Sequence, residues 1–178
     1  MVRFEGSDLL VKAPGGEERH AFATAAEAEG RVAFIAEALS WIGTPFLNCA
    51  DVKGPVGGVD CAMLLVRASV DTGHIPPFDP RPYSPDWMKH RSEEKFLGFL
   101  ARLGAKEVEA PRVGDVLVWQ VARTFSHGAI LINSAQIVHA YAHARCVLIS
   151  DLTEPLLNFL PVSFGRVPRP VRYFDLWR

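Results

Sequence analysis

The sequence predicts an α+β fold in which helices come first along the chain and an antiparallel sheet follows. Apolar residues recur at helical spacing in the first half of the chain. After Pro111, short runs of strand-favouring residues alternate with turn signals. Helical and strand segments that are segregated in this way are typical of α+β proteins. With 178 residues, the chain fits one domain and can bury a substantial core.

Three helices are predicted. The first covers 25–42, where Val32, Ile35 and Leu39 share one face, and it stops at the Gly43-Thr-Pro turn. The second covers 60–73 and is apolar on several sides, which predicts a central, buried helix. The third is a short helix over 93–103, and long loops over 44–59 and 75–90 separate the three.

The second half of the chain is predicted to form strands, and two assignments are open for the N-terminal residues. The predicted strands are 115–120, 127–132, 136–141, 145–149 and 170–174. Residues 1–25 fit two short strands or a partly ordered arm. We therefore divide the chain into an N-terminal extension over 1–25 and a main domain over 26–178.

The composition argues against several classes of partner. With 19 basic and 20 acidic residues the formal net charge is −1, and the arginines form no basic run, so we expect neither nucleic acid nor an anionic membrane as a partner. No apolar stretch approaches the length of a membrane span, and the N-terminus lacks the apolar core of a signal peptide. The expected location is the cytoplasm, or the outside of the cell by a route that a signal peptide does not reveal.

The cysteine count points to a free thiol. The chain has three widely spaced cysteines, Cys49, Cys61 and Cys146, which form neither a disulfide framework nor paired zinc ligands. Cys61 stands at the first turn of the second predicted helix, after a Gly-Gly-Val-Asp approach. A helix N-terminus and a neighbouring imidazolium both lower the pKa of a thiol, so this placement suits a nucleophile. It also suits a structural cysteine packed under the loop.

Two histidines favour the nucleophile. His127 opens one predicted strand and His139 lies within the next, both among apolar residues. If a three-residue loop over 133–135 joins the strands, His139 pairs opposite Ala129, and His127 lies diagonal to it on the same face. One imidazole could then act as base while the other orients it. A two-residue loop would put the two rings on opposite faces.

In this arrangement the pattern resembles the NlpC-type (NlpC/p-sixty) family of papain-like cell-wall cysteine peptidases. The matching segments run in family order over about residues 30–142: Trp41–Phe46 (WIGTPF), Gly58–Val66 (GVDCAMLLV), Pro111–Trp119 (PRVGDVLVW), Ser126–Ile132 (SHGAILI) and Ile137–Ala140 (IVHA). The Lys53-Gly54 loop and the absent signal resemble most the variants carried by phage tails and gene-transfer particles.

The resemblance implies a papain-like fold, in which helices pack on a central antiparallel sheet and the nucleophile stands at a helix N-terminus. It implies hydrolysis of an amide in the stem peptide of peptidoglycan, without a cofactor or metal. Cys61 would attack the carbonyl, His127 would act as base and His139 would hold its ring. Substrate-lining positions correspond to Asp60, Ser126, Phe46 and Trp119, of which Trp119 also fits a core residue.

Three departures from the family pattern keep other functions open. The Ser-Gly after the nucleophile is Ala62-Met63 here, the lead-in tyrosine is Phe46, and the loop over 47–58 is long. These features favour, as an alternative, a non-catalytic structural or binding module, for example one that contacts phage-like tail proteins. A second alternative is a thioesterase or acyltransferase. A zinc site built from Cys61, His127 and His139 has the right atoms but lacks a fourth ligand.

Overall fold

A computed structural model describes residues 2–84, 94–154, 159–160 and 167–177 of the chain. This part contains the helices α1 (Ala25–Leu39), α2 (Cys61–Asp71) and α3 (Lys95–Arg102). Its strands are β1 (Val2–Glu5), β2 (Asp8–Ala13), β3 (Gly16–Ala21), β4 (Asp51–Val52), β5 (Gly58–Val59), β6 (Lys106–Val108), β7 (Val116–Val121), β8 (Thr124–Leu131), β9 (Gln136–Tyr141), β10 (Cys146–Asp151), β11 (Phe159–Leu160), β12 (Val167–Pro168) and β13 (Val171–Asp175). The predicted α+β class is confirmed.

The main sheet has six strands in the order β10–β9–β8–β7–β13–β6, and every neighbouring pair is antiparallel. The larger apolar core lies between one face of this sheet and the three helices. A smaller apolar cluster covers the other face of the sheet and includes Leu117, Trp119, Ala129 and Tyr141. The two faces separate the candidate site residues, as described below.

Helix α1 begins where Thr24 caps it: the Thr24 hydroxyl accepts a hydrogen bond from the Glu27 N–H at 3.1 Å. Its buried face carries Arg31, which is fully buried and forms ion pairs with Asp115 (2.7 Å) and Asp175 (2.9 Å). Asp115 also accepts the Arg112 N–H at 2.7 Å. Asp115 therefore holds the turn before β7 and also takes part in a buried ion pair that ties α1 to the sheet.

Helix α2 begins at Cys61 because Asp60 caps it, accepting the Met63 N–H at 2.9 Å. Eight of its residues are buried, which is the central position that its apolar pattern predicts. They are Cys61, Ala62, Met63, Leu64, Leu65, Val66, Ala68 and Ser69. The cap therefore fixes the nucleophile candidate at the first position of a buried helix.

The N-terminal residues form a three-stranded antiparallel sheet, one strand more than the sequence suggested. Leu9, Val11 and Phe22 pack into the larger core beside α1. Glu18 accepts the Ser134 N–H at 3.0 Å, in the turn after β8. The small sheet therefore contacts the turn between β8 and β9. The division at residue 25 stays a prediction.

Other differences from the predicted elements are local. Helix α1 ends at Leu39 rather than at 42, and β8 begins at Thr124, so His127 is the fourth residue of its strand. The predicted loop over 75–90 and helix over 93–103 extend into 85–93, which lie outside the described residues. Strand β6 was not predicted. No helix in the described ranges is both long and apolar enough to cross a membrane.

Candidate active site

Cys61 lies at the N-terminus of α2 with its thiol against strand β8. The thiol donates to the carbonyl oxygen of Ser126 at an Sγ–O distance of 3.7 Å, and the backbone N–H of Gly128 points to the sulfur. These two residues flank His127 in the sequence. The helix start therefore brings the candidate nucleophile to the strand segment that carries the candidate base.

The pKa of Cys61 is opposite to the sequence-based expectation. Burial, and after it the negative charge of Asp60, raise the pKa of the thiol to about 12. The backbone N–H groups of Cys61, Ala62 and Gly128 act in the other direction and lower it. Because burial dominates, Cys61 is a neutral thiol in this structure rather than a preformed thiolate.

His127 and His139 contact each other directly. Nε2 of His127 lies 2.9 Å from Nδ1 of His139. Strands β8 and β9 pair Ile130 with Val138 and Leu131 with Ile137, a register that sets His139 opposite Ala129. The predicted three-residue loop and the diagonal placement of the two histidines are what the structure shows.

Both imidazoles are neutral. Burial, with smaller contributions from the charges of His139, Arg169 and His143, lowers the pKa of His127 well below its ordinary value. Burial lowers the pKa of His139 to about 4. Since Nε2 of His127 is engaged with His139, Nδ1 is the nitrogen that remains for a thiol proton.

The rings of the two histidines lie beside aromatic residues of the smaller cluster. The His127 ring centroid is 6.1 Å from Trp119 and 5.7 Å from Tyr141, and the His139 ring stacks on Tyr141 at 4.8 Å. Cys61, in contrast, belongs to the larger core on the helix side of the sheet. Both residues are described, and no hydrogen bond joins the Cys61 thiol to His127.

Asp60 is enclosed by donors. Its carboxylate accepts hydrogen bonds from the Tyr83 hydroxyl (2.7 and 2.8 Å), the Cys49 N–H (2.6 Å) and the Met63 N–H (2.9 Å). Asp60 is buried. In this state its oxygens hold the start of α2 and the loop that carries Tyr83, and the proposed substrate contact of Asp60 stays a prediction.

The other predicted substrate-lining residues occupy different depths. Ser126 is buried and its hydroxyl donates to the Thr124 carbonyl at 3.3 Å. Phe46 is half-buried and packs against the larger core. Trp119 is buried and pairs with His127 across β7 and β8, where a bulge follows it. Their contacts with a substrate stay predictions.

Two residues of the site were not singled out from the sequence. Tyr83 reaches Asp60 from the loop after α2, and Ser150 of β10 places its Oγ 2.9 Å from Nε2 of His139. The β-strand alternation of β10 could have indicated Ser150, because its register relative to β9 follows from the short turn between them. Nothing in the sequence indicates that Tyr83 contacts Asp60.

Neither zinc nor a disulfide is supported by contacts in the described part of the chain. No group of three or more His, Cys, Asp or Glu side chains there is arranged to hold a metal. Cys49, Cys61 and Cys146 are free thiols, and the Cys49 thiol donates to the Tyr83 carbonyl at 3.2 Å.

Solved structures share this fold, although no protein-family model and no curated protein matches the sequence. The peptidoglycan hydrolase RipB of Mycobacterium tuberculosis is similar with a TM-score of 0.53 and 17% identity, over 87% of this chain and 68% of that chain. NlpC1 of Trichomonas vaginalis is similar with a TM-score of 0.52 and 14% identity, over 94% of this chain and 54% of that chain.

The helix-borne cysteine, the antiparallel sheet and the histidine pair define an α+β domain with the papain-like architecture expected from the sequence. More particularly, the fold is that of NlpC/p60 domains, as the sequence motifs predicted. At these identities the similarity is one of fold, and a fold can carry several functions.

Proposed function

We propose that this chain is a cysteine peptidase that cleaves an amide bond in peptidoglycan stem peptides, with Cys61 as nucleophile, His127 as general base and His139 as the residue that orients His127. The observation that carries the proposal is the placement of Cys61. Its thiol stands at a helix N-terminus, against the backbone of the residues on either side of His127. His127 is in turn hydrogen-bonded to His139 at 2.9 Å.

The reaction begins with a proton transfer. The thiol turns from the Ser126 carbonyl towards Nδ1 of His127 and gives up its proton there, while Nε2–H of His127 donates to His139. Hydrogen bonds of a catalytic dyad often tighten only when substrate is bound. Because burial raises the pKa of the thiol to about 12, the sulfur becomes reactive only as His127 takes its proton.

The bond changes then follow those of acyl transfer. The sulfur attacks the amide carbonyl carbon, and the tetrahedral intermediate collapses when the amine leaves with the proton from His127. Water, deprotonated by His127, attacks the resulting thioester, which releases the acid and restores the Cys61 thiol. The N–H groups at the start of α2 would stabilise the oxyanion, because they already point to the Cys61 sulfur.

The choice of a peptidoglycan stem peptide rests on similarity. The motifs resemble those of cell-wall peptidases, and RipB, which shares the fold, is a peptidoglycan hydrolase.

The proposal is tested by titrating the protein with iodoacetamide across pH and mapping the labelled cysteine by mass spectrometry, followed by incubation with stem peptides. We expect labelling of Cys61 to be slowed by His127→Ala, whereas labelling of Cys146 stays unchanged and serves as the internal control. We expect peptide cleavage to be lost in Cys61→Ser. A rate of Cys61 labelling that His127→Ala does not change, together with stem peptides that remain uncleaved, would overturn the proposal.

One alternative has an observation in its favour. The Cys61 thiol is buried, neutral and bonded to a backbone carbonyl rather than to His127, which suits a non-catalytic module that keeps the fold. Binding of intact peptidoglycan that survives Cys61→Ser, without any cleavage by the wild type, would support that alternative. Thioesterase or acyltransferase activity and contacts with phage-like tail proteins stay hypotheses without such an observation.

A further inference from the structure

The His127–His139 pair continues to a third residue. Nε2 of His139 lies 2.9 Å from Oγ of Ser150, so a chain of two hydrogen bonds runs from His127 through His139 to Ser150. Ser150 belongs to β10, the strand at one edge of the main sheet. Strand pairing sets Ser150 opposite Ile137, diagonal to His139 on the same face.

Two neutral imidazoles can share their contact proton in two ways. In the first, Nε2–H of His127 donates to Nδ1 of His139, which leaves Nδ1 of His127 with a lone pair. In the second, Nδ1–H of His139 donates to Nε2 of His127, which puts the His127 proton on Nδ1. Each neutral imidazole carries one N–H and one lone pair, so the two arrangements exclude each other. Only the first leaves His127 able to accept a thiol proton.

The first arrangement needs an acceptor for Nε2–H of His139. The ring of His139 is fully buried, with one face stacked on Tyr141. Among the described residues, the hydroxyl of Ser150 is the side-chain group that contacts Nε2. If this acceptor is missing, Nε2–H becomes a buried donor without a partner. The second arrangement then avoids that cost, because it moves the His139 proton to Nδ1.

We propose that Ser150 is a positioning residue, whose hydroxyl accepts Nε2–H of His139 and thereby keeps Nδ1 of His127 free to take a proton. The catalytic consequence rests on the function proposed above, whereas the hydrogen-bond arrangement does not. In the proposed arrangement, the half-buried Ser150 hydroxyl directs its own proton away from His139.

The test reads the tautomer directly. Long-range proton–nitrogen NMR correlations of the imidazole rings at neutral pH distinguish a protonated nitrogen from one with a lone pair, and His139→Asn assigns the His139 signals among the six histidines. In the wild type we expect His139 to be protonated on Nε2 and His127 to be protonated on Nε2. In Ser150→Ala we expect His139 protonated on Nδ1. Ser150→Thr, which keeps the hydroxyl, should restore the wild-type pattern.

The same variants are then compared in the rate of Cys61 alkylation. Ser150→Ala is expected to slow the His127-dependent rate about tenfold, the effect of one buried donor left unpaired. Ser150→Thr should recover most of the lost alkylation rate. Ser134 is an exposed serine in the turn after β8, so Ser134→Ala should leave the rate unchanged.

The outcomes separate the two proposals. Wild-type His139 protonated on Nδ1, or a tautomer pattern that Ser150→Ala leaves unchanged, overturns the role of Ser150 even if Cys61 reacts with substrate. The expected tautomers in a protein whose Cys61 is inert would support the role of Ser150 and count against the proposed peptidase. If Ser150→Ala fails to fold, the wild-type spectrum still tests the proposal, because His139 protonated on Nδ1 overturns it.

Discussion

The hydroxyl of Tyr83 lies 2.8 and 2.7 Å from the two carboxylate oxygens of Asp60, the residue directly before Cys61. This contact joins the loop after α2 to the N-terminus of the same helix. In the NlpC-type family that the sequence resembles, the position of Phe46 carries a tyrosine. Here the hydroxyl that contacts Asp60 belongs to Tyr83.

Tyr83→Phe is expected to lower the free energy of unfolding by about 1.5–3 kcal/mol, the range for a buried hydrogen bond to a charged group. Urea denaturation monitored by fluorescence would measure it. The matched control is Tyr173→Phe, because no hydrogen bond to the half-buried Tyr173 is found within the described residues. Equal losses in the two variants would contradict a specific contribution from Tyr83.

Asp60→Asn is expected to increase the rate of Cys61 alkylation near pH 8. The negative charge of Asp60 is one cause of the raised thiol pKa, so its removal lowers that pKa and increases the thiolate fraction. Asparagine still caps a helix, which preserves the start of α2. Asp71→Asn, at the other end of α2 and paired with Arg67, is the control and should leave the rate unchanged. An unchanged rate in Asp60→Asn would show that burial alone sets the thiol pKa.

Stability is expected to fall as the pH is lowered from about 6.5 to 4. The pKa of His139 is about 4 in the folded protein and near 6.5 when unfolded, so between these values the unfolded state binds more protons. For His139 alone the loss amounts to about 3 kcal/mol, at 1.36 kcal/mol for each pKa unit. His127, whose pKa is lowered in the same direction, adds to it.

His139→Asn tests this assignment, because asparagine carries no titratable group. The variant should lose less stability between pH 6.5 and 4 than the wild type does, whatever its stability at neutral pH. Denaturation curves at several pH values give the comparison, with His20→Asn in the small N-terminal sheet, where His20 is half-buried, as a control. Parallel curves for His139→Asn and wild type would mean that other groups control the acid transition.

Gly128→Ala is expected to destabilise the protein by about 1–3 kcal/mol, the usual range for overpacking. A β-carbon at this position would stand 2.3 Å from Cζ of Phe96 and 2.8 Å from Cδ1 of Leu65. Gly98→Ala in α3, where an added carbon meets nothing within 4 Å, should instead stabilise the helix by about 0.5–1 kcal/mol. Thermal denaturation should show a lower melting temperature for Gly128→Ala and a higher one for Gly98→Ala. Changes of the same sign in both variants would contradict the packing argument.

Arg31→Met is expected to lower the free energy of unfolding by about 3–5 kcal/mol, because it leaves the buried carboxylates of Asp115 and Asp175 without their cation. Arg19→Met, which removes exposed ion pairs with Glu5 and Asp8, should change the stability little. Urea denaturation of the two variants gives the comparison. A similar loss of unfolding free energy in both variants would mean that burial does not increase the contribution of the ion pairs to stability.

Local patterns in the sequence predict the fold class, the start of α2 and the relation between the two histidines. Apolar periodicity is a local signal, so Cys61 could be assigned to the first turn of a buried helix. The side chains of a strand alternate strictly, so one loop length sufficed to put His127 and His139 on the same face.

The protonation state of the Cys61 thiol and the contacts of Asp60 depend on how the elements pack together. The pKa of Cys61 depends on how deeply the helix start is buried, which no local pattern reveals, and burial reversed the direction expected from the helix dipole. The contact of Tyr83 with Asp60 joins residues 23 positions apart. The Arg31 ion pairs span 84 and 144 positions. Such contacts depend on how whole elements pack, whereas helix caps and strand alternation depend only on neighbouring residues.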